Sequence, residues 1–145
     1  MKRITAIIPL ILVSLNFTGC EGEASQDVPD ADLLGTLWTL QSIEVPGEPG
    51  IQPNVGKNFS IQFFEDNQIE GHINCNTYKG EYAQPTIDSM KIIIQEITEV
   101  NCADSDKAVE SRLLEDISSV HSYGIIKNRL QLHFDSSVLN FQMLE

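Results

Sequence analysis

Five side chains that could do chemistry together fall within seven residues: His72, Asn74, Cys75, Asn76 and Tyr78, in the run GHINCNTYKG from Gly71 to Gly80. A thiol beside an imidazole is the raw material of a nucleophilic pair, in which the histidine takes the thiol proton. Strand alternation argues against that pair here. Gly71, Ile73 and Cys75 share one face of a strand, whereas His72, Asn74 and Asn76 share the other. Asn74 and Asn76 also predict a bulge or turn near Cys75, because asparagine tolerates left-handed backbone and bonds its own main chain. What is left is a candidate ligand face of His72, Asn74, Asn76 and Tyr78. His72, His121 and His133 have no metal-ligand spacing, so neither metal nor cofactor is expected. A hydrolase with His72 or His133 as base is the enzymatic alternative, and the sequence places no serine or cysteine beside either.

The elements that must position this run read clearly. Leu37 to Ser42 alternates as a strand, with Trp38 and Leu40 on its core side and Ser42 in phase with them. Val45 to Gly56 holds three prolines and three glycines and is a loop, the candidate contact for a partner. Phe59–Phe64 and Gln68–Ile73 form a hairpin around Glu65-Asp66-Asn67. Lys91–Ile97 (KIIIQEI) is the most β-prone run and is expected as an inner strand. Val109, Leu113, Ile117 and Val120 recur at helical spacing with Leu114 beside them, which predicts one amphipathic helix over Ser105–Ser119. Asp104-Ser105-Asp106 reads as its N-cap and not as a calcium loop, which would need a glycine and a distal glutamate. Tyr123–Ile126, Leu130–Phe134 and Val138–Leu144 complete a meander. The fold class is α+β: a mostly antiparallel, curled β-sheet covering the apolar side of a single helix.

At 145 residues the chain is one domain's worth, and 41% hydrophobic with 21% charged residues is ordinary for a globular protein. A net charge of −12 repels phosphate, so nucleic acid is excluded as a general partner. The N-terminus is an address. Lys2 and Arg3 precede an apolar run from Ile4 to Leu15, and Phe17-Thr18-Gly19-Cys20 follows. That ending resembles a bacterial lipobox, cut before a lipidated cysteine, although Phe17 stands where leucine is usual. The alternative is ordinary secretion with cleavage after Ala24. The division is then a signal peptide over 1–19, an acidic tether over 20–32 and a domain over 33–145. Lipid on Cys20 would make the membrane a partner. Glu21, in place of the aspartate that favours inner-membrane retention in enterobacterial lipoproteins, leans towards the outer membrane; a soluble periplasmic or secreted chain is the alternative. Cleavage before Cys20 leaves 7 basic against 21 acidic residues, a net of −14.

With Cys20 assigned to lipid, Cys75 and Cys102 stay as an even pair in an oxidising compartment, where a disulfide is expected. Free thiols or a metal site are the alternatives. A bridge would close a loop of about 28 residues, for which chain entropy gives roughly 3–4 kcal/mol.

Three separated motifs carry a family resemblance: Leu34-Gly35-Thr36-x-Trp38-x-Leu40, Gly71-x-x-x-Cys75-Asn76-x-Tyr78-x-Gly80-x-Tyr82, and Thr98-x-x-x-Cys102 ahead of a helix. Together they resemble the META domain, the HslJ-like group, over Leu33–Glu145. This chain has Asn74 where the family more often has glycine. The resemblance implies a compact β-rich domain with one helix, often in envelope lipoproteins, and associations with heat shock, antibiotic tolerance or protozoan motility. It implies no catalytic residue. Cys75, Asn76, Tyr78 and Gly80 transfer as a structural signature. The function expected is a non-enzymatic envelope lipoprotein that binds a protein, peptide or lipid partner or supports stress tolerance, with a stabilising or inhibitory module for another envelope protein as a further alternative.

Overall fold

The computed structural model describes residues 31–100 and 106–144. Their strands are β1 (Leu37–Glu44), β2 (Phe59–Phe63), β3 (Gln68–Ile73), β4 (Asn76–Ala83), β5 (Lys91–Ile97), β6 (Ser122–Ile126), β7 (Arg129–Phe134) and β8 (Ser137–Met143), with helix α1 (Lys107–Ile117) between β5 and β6. They form one antiparallel sheet in the order β5-β4-β3-β2-β1-β8-β7-β6. Two meanders, β1 to β5 and β6 to β8, are thus joined along β1 and β8, and α1 carries the chain from one sheet edge to the other. Curling brings those edges together at one end. Met90 N donates to His121 O at 3.0 Å, and Tyr123 N donates to Asp88 O at 3.1 Å. The result is a half-barrel in which the helix is a minor partner.

Alternation sets what fills the concavity. Trp38, Phe59, Ile61, Phe63, Ile69, Leu130, Leu132, Leu139 and Phe141 all point inward and are buried. Val109, Leu113 and Ile117, one helical stripe, pack onto them. Each large side chain removed from water contributes about 1.5–3 kcal/mol, so these rows dominate stability. Phe63 and Tyr82 meet edge to face, ring centroids 5.1 Å apart, in the favoured quadrupolar arrangement.

Four expectations change. Lys91–Ile97 is a sheet edge, not an inner strand: only Ile92 in it is fully buried, while Ile93 and Ile97 are 50% and 43% exposed. Apolar content signals a strand, but it does not say how many neighbours the strand has. Strand β1 changes phase at a bulge between Leu40 and Ser42, which puts Ile43 in the core in place of Ser42. Asp106 occupies the N-cap position without capping through its side chain; its Oδ2 accepts instead from Asn54 N at 2.9 Å, tying the 45–56 loop to the start of the helix. Asp104 and Ser105 lie outside the described residues. Lastly, the alternation does not run through Cys75. Strand β3 ends at Ile73, Asn74 and Cys75 form the turn, and Asn76 opens β4 opposite Ile73.

Candidate functional site

The Asn74-Cys75-Asn76 turn is a junction of three elements. Asn74 takes the left-handed backbone, φ 64°, which its residue type tolerates better than most. Its N donates to Asn58 O at 2.6 Å. Its Nδ2 donates to Glu110 Oε1 at 3.2 Å, on the first turn of α1, where a carboxylate also suits the helix dipole. Asn76 is buried, and its amide acts as a surrogate strand for Val100: Oδ1 accepts from Val100 N at 2.7 Å and Nδ2 donates to Val100 O at 3.3 Å. The same Oδ1 accepts from Thr98 Oγ1 at 3.1 Å. Cys75 is disulfide-bonded, and its partner lies outside the described residues. Its Sγ, 3.9 Å from Val100 O, carries no proton to donate, so that approach is a contact and not a hydrogen bond.

Behind the turn, Tyr78 is fully buried and its hydroxyl donates to Ser60 O at 2.9 Å. Burial pushes its phenol well above the ordinary tyrosine range. Gly71 lies directly opposite it on β3. A Cβ on Gly71 would fall 2.2 Å from Ser60 O and 2.3 Å from Tyr78 Cζ, so only hydrogen fits.

The candidate face is therefore divided. His72 is exposed on the outer side of the sheet, Asn74 sits at the turn, and Asn76 and Tyr78 point inward. Around His72 the outer side carries a shallow cleft of about 160 Å³ lined in part by Leu37, Gln62, Glu70, Thr77 and Lys79. Within it Lys79 Nζ and Glu70 Oε1 pair at 2.6 Å, and this hydrogen bond raises the Lys79 ammonium above its usual range. A larger hollow, about 620 Å³, lies at the β2–β3 turn by Phe64, Asp66 and Gln68, away from the junction; it is open and charge-lined, unlike the enclosed apolar pockets that hold small molecules.

One neighbour of His72 escaped the sequence. Ser60, on β2, is directly opposite it on the same outer side. Its Oγ is buried and makes no hydrogen bond, so it is neither activated by the imidazole nor reachable in this conformation. The register that brings the two together depends on the β2–β3 turn, not on local spacing. Arg112 and Asp116, paired at 2.6 Å one helical turn apart, were recoverable from i,i+4 spacing. Among the described residues no group of three or more His, Cys, Asp or Glu could hold a metal ion, and no helix is long and apolar enough to cross a membrane. Cys20 and Cys102 lie outside the described residues.

A curled antiparallel sheet packed against one helix stripe, with Cys75, Asn76 and Tyr78 at its β3–β4 hairpin, defines a META-type domain. The META domain family model matches residues 31–145, and the chain belongs to that family, the HslJ-like group. No curated protein matches it. Among solved structures, it is similar to a protein from Burkholderia xenovorans determined by NMR, with TM-score 0.64 and 20% identity over 77% of this chain and 83% of that one. It is also similar to a crystal structure of a duf4847 family protein from Bacteroides vulgatus ATCC 8482, with TM-score 0.58 and 15% identity over 76% of this chain and 93% of that one. At these identities the likeness is one of fold.

Proposed function

We propose that this chain is a non-enzymatic lipoprotein of the bacterial envelope, acylated on Cys20, whose domain is stapled by a Cys75–Cys102 disulfide and binds a protein or peptide partner. The outer membrane is the proposed location. The observation that carries the reading is where the family's signature side chains go. Asn76 clamps the backbone of Val100, Tyr78 is buried against Gly71, and Cys75 is bridged. These residues hold the fold together: Asn76 and Tyr78 are buried, and the Cys75 sulfur is committed to a disulfide. With three cysteines in the chain, acylation of Cys20 leaves Cys102 as the partner of Cys75. The loop over 45–56, fixed at Ile51 to Ile43 and at Asn54 to Asp106, presents an exposed Val55 to a partner. A hydrolase reading gains nothing from Ser60, whose hydroxyl is buried beside His72.

Labelling growing cells with palmitate tests the reading directly. Label is expected on the wild type and lost on Cys20→Ala, which should leave the membrane fraction. An unlabelled wild type, or undiminished label on the variant, overturns it.

A further inference from the structure

Two hollows on the outer side of the sheet meet at one residue. The first, about 310 Å³, lies between the 45–56 loop and the β7–β8 turn, with Val45, Pro46 and Val138 as apolar walls beside the carboxylates of Glu44 and Glu48. The second, about 410 Å³, continues over β1, β8 and β7 past Ser42, Asn140, Gln131 and Gln142 to Arg129. Glu44 lines both, so together they form one groove along β8. The bulge in β1 adds to its polar side. Gln41 is the extra residue between Leu40 and Ser42, and Gln41 and Ser42 both line the groove. A hydrogen-bonded ladder fixes the floor. Gln131 Nε2 donates to Asn140 Oδ1 at 2.9 Å, Asn140 Nδ2 to Ser42 Oγ at 3.1 Å, and Ser42 Oγ to Glu44 Oε1 at 3.1 Å.

Resting on the partner-binding reading above, we propose that this groove holds an extended peptide segment of a partner protein, with a lysine or arginine over Glu44 and Glu48 and an acidic residue over Arg129. Every donor in the ladder points towards Glu44, which orients the amides, and each NH2 spends one of its two hydrogens there. Planar amides match a peptide main chain, which offers one C=O and one N–H per residue. Asn76 makes that match within this chain, holding Val100 at both groups. Charge sets the direction of the segment. Apolar walls beside two carboxylates suit a long cationic side chain, whose methylenes pack while its head pairs. Arg112, close enough to Glu48 for its charge to count, is already paired with Asp116. At the other end, Arg129 offers a planar fork of donors to a carboxylate. From Val138 to Gln142 the groove follows β8 for about 14 Å, which sets the basic and acidic positions about four residues apart.

Short random peptides displayed on phage and selected on the full-length chain provide the test. Recovered peptides should carry lysine or arginine and, about four residues away, aspartate or glutamate. Arg129→Glu should exchange the acidic position for a basic one, and Glu44→Gln with Glu48→Gln should weaken the recovered peptides about ten-fold. All three side chains are exposed, so these variants keep the fold. Peptides that lack this charge pattern, or that bind the variants equally well, overturn the groove and leave partner binding standing. A partner captured by crosslinking in cells, with no peptide recovered, likewise overturns the groove alone. Neither a peptide nor a captured partner overturns both. Chitotetraose bound in the groove, with no peptide recovered, overturns the peptide in favour of a glycan.

Discussion

The Tyr78 ring crosses Gly71, its direct partner on β3, and carries its hydroxyl to the Ser60 carbonyl on β2, two strands away, at 2.9 Å. The glycine makes the crossing feasible, since a Cβ at Gly71 would lie 2.5 Å from that same hydroxyl. One aromatic side chain thereby ties β4 to β2 across the inside of the sheet.

Gly71→Ala should therefore be among the most destabilising single changes in the domain. The nearest atom is a backbone oxygen, which cannot move aside as a flexible side chain would. A cost of about 3 kcal/mol, the upper end for overpacking, is expected in urea unfolding. Gly124→Ala is the control, because nothing lies within 4 Å of its added Cβ. Equal losses for the two variants would refute the crossing as the reason for glycine.

The buried phenol also has a pH consequence. Burial raises Tyr78 far above the unfolded value of 10.0, so the native state keeps a proton that the unfolded chain releases. Stability from this group is complete below about pH 10 and declines as pH rises beyond it. Tyr82 is raised too, first by burial and then by Asp66 and Tyr123. Absorbance at 295 nm should show one of the three tyrosines ionising only as far-UV circular dichroism is lost. Three tyrosinates formed with the fold intact would contradict this.

Asn76→Ala removes both Val100 bonds and the Thr98 bond together. At about 1 kcal/mol per bond, with a further cost for backbone groups left unpaired, a loss of roughly 3 kcal/mol is expected by chemical denaturation. Asn76→Asp keeps the acceptor and loses the donor, so it should fall between the variant and wild type. A neutral Asn76→Ala would show that water replaces the clamp.

These residues also show what the sequence could and could not disclose. The β2–β3 and β6–β7–β8 hairpins were legible because period-two alternation and short polar turns are local signals. The helix stripe was legible for the same reason, at period 3.6. The position of β5 at an edge was not, since KIIIQEI carries strand propensity without any statement about neighbours. The role of Asn76 was hidden for a further reason, and that of Ser60 because its register is set by the β2–β3 turn. Whether a side chain faces in or out past Cys75 depends on where β3 stops, and the two-residue turn reverses the count that simple alternation predicts. Likewise, the sequence marked Gly71 as part of a motif, but only the register shows that it accommodates Tyr78.

The Arg112–Asp116 pair sets two effects against each other, and their balance can be measured. Arg112 is raised above its ordinary value, first by its hydrogen bond to Asp116. The Asp116 carboxyl nevertheless titrates above 3.8, because burial outweighs the hydrogen bond and charge of Arg112. The native state therefore binds this proton where the unfolded chain has already released it. Stability from the group falls as pH rises through the window just above the ordinary carboxylate range, the reverse of a carboxylate held chiefly by its ion pair. Asp116→Asn should flatten the stability profile there and cost under about 1 kcal/mol at neutral pH, since the part-exposed guanidinium can turn to water. Arg112→Met leaves the buried carboxylate without its partner and should cost more, about 1–3 kcal/mol. If the asparagine variant is the costlier of the two, the ion pair outweighs burial and the assigned direction of the Asp116 shift is wrong.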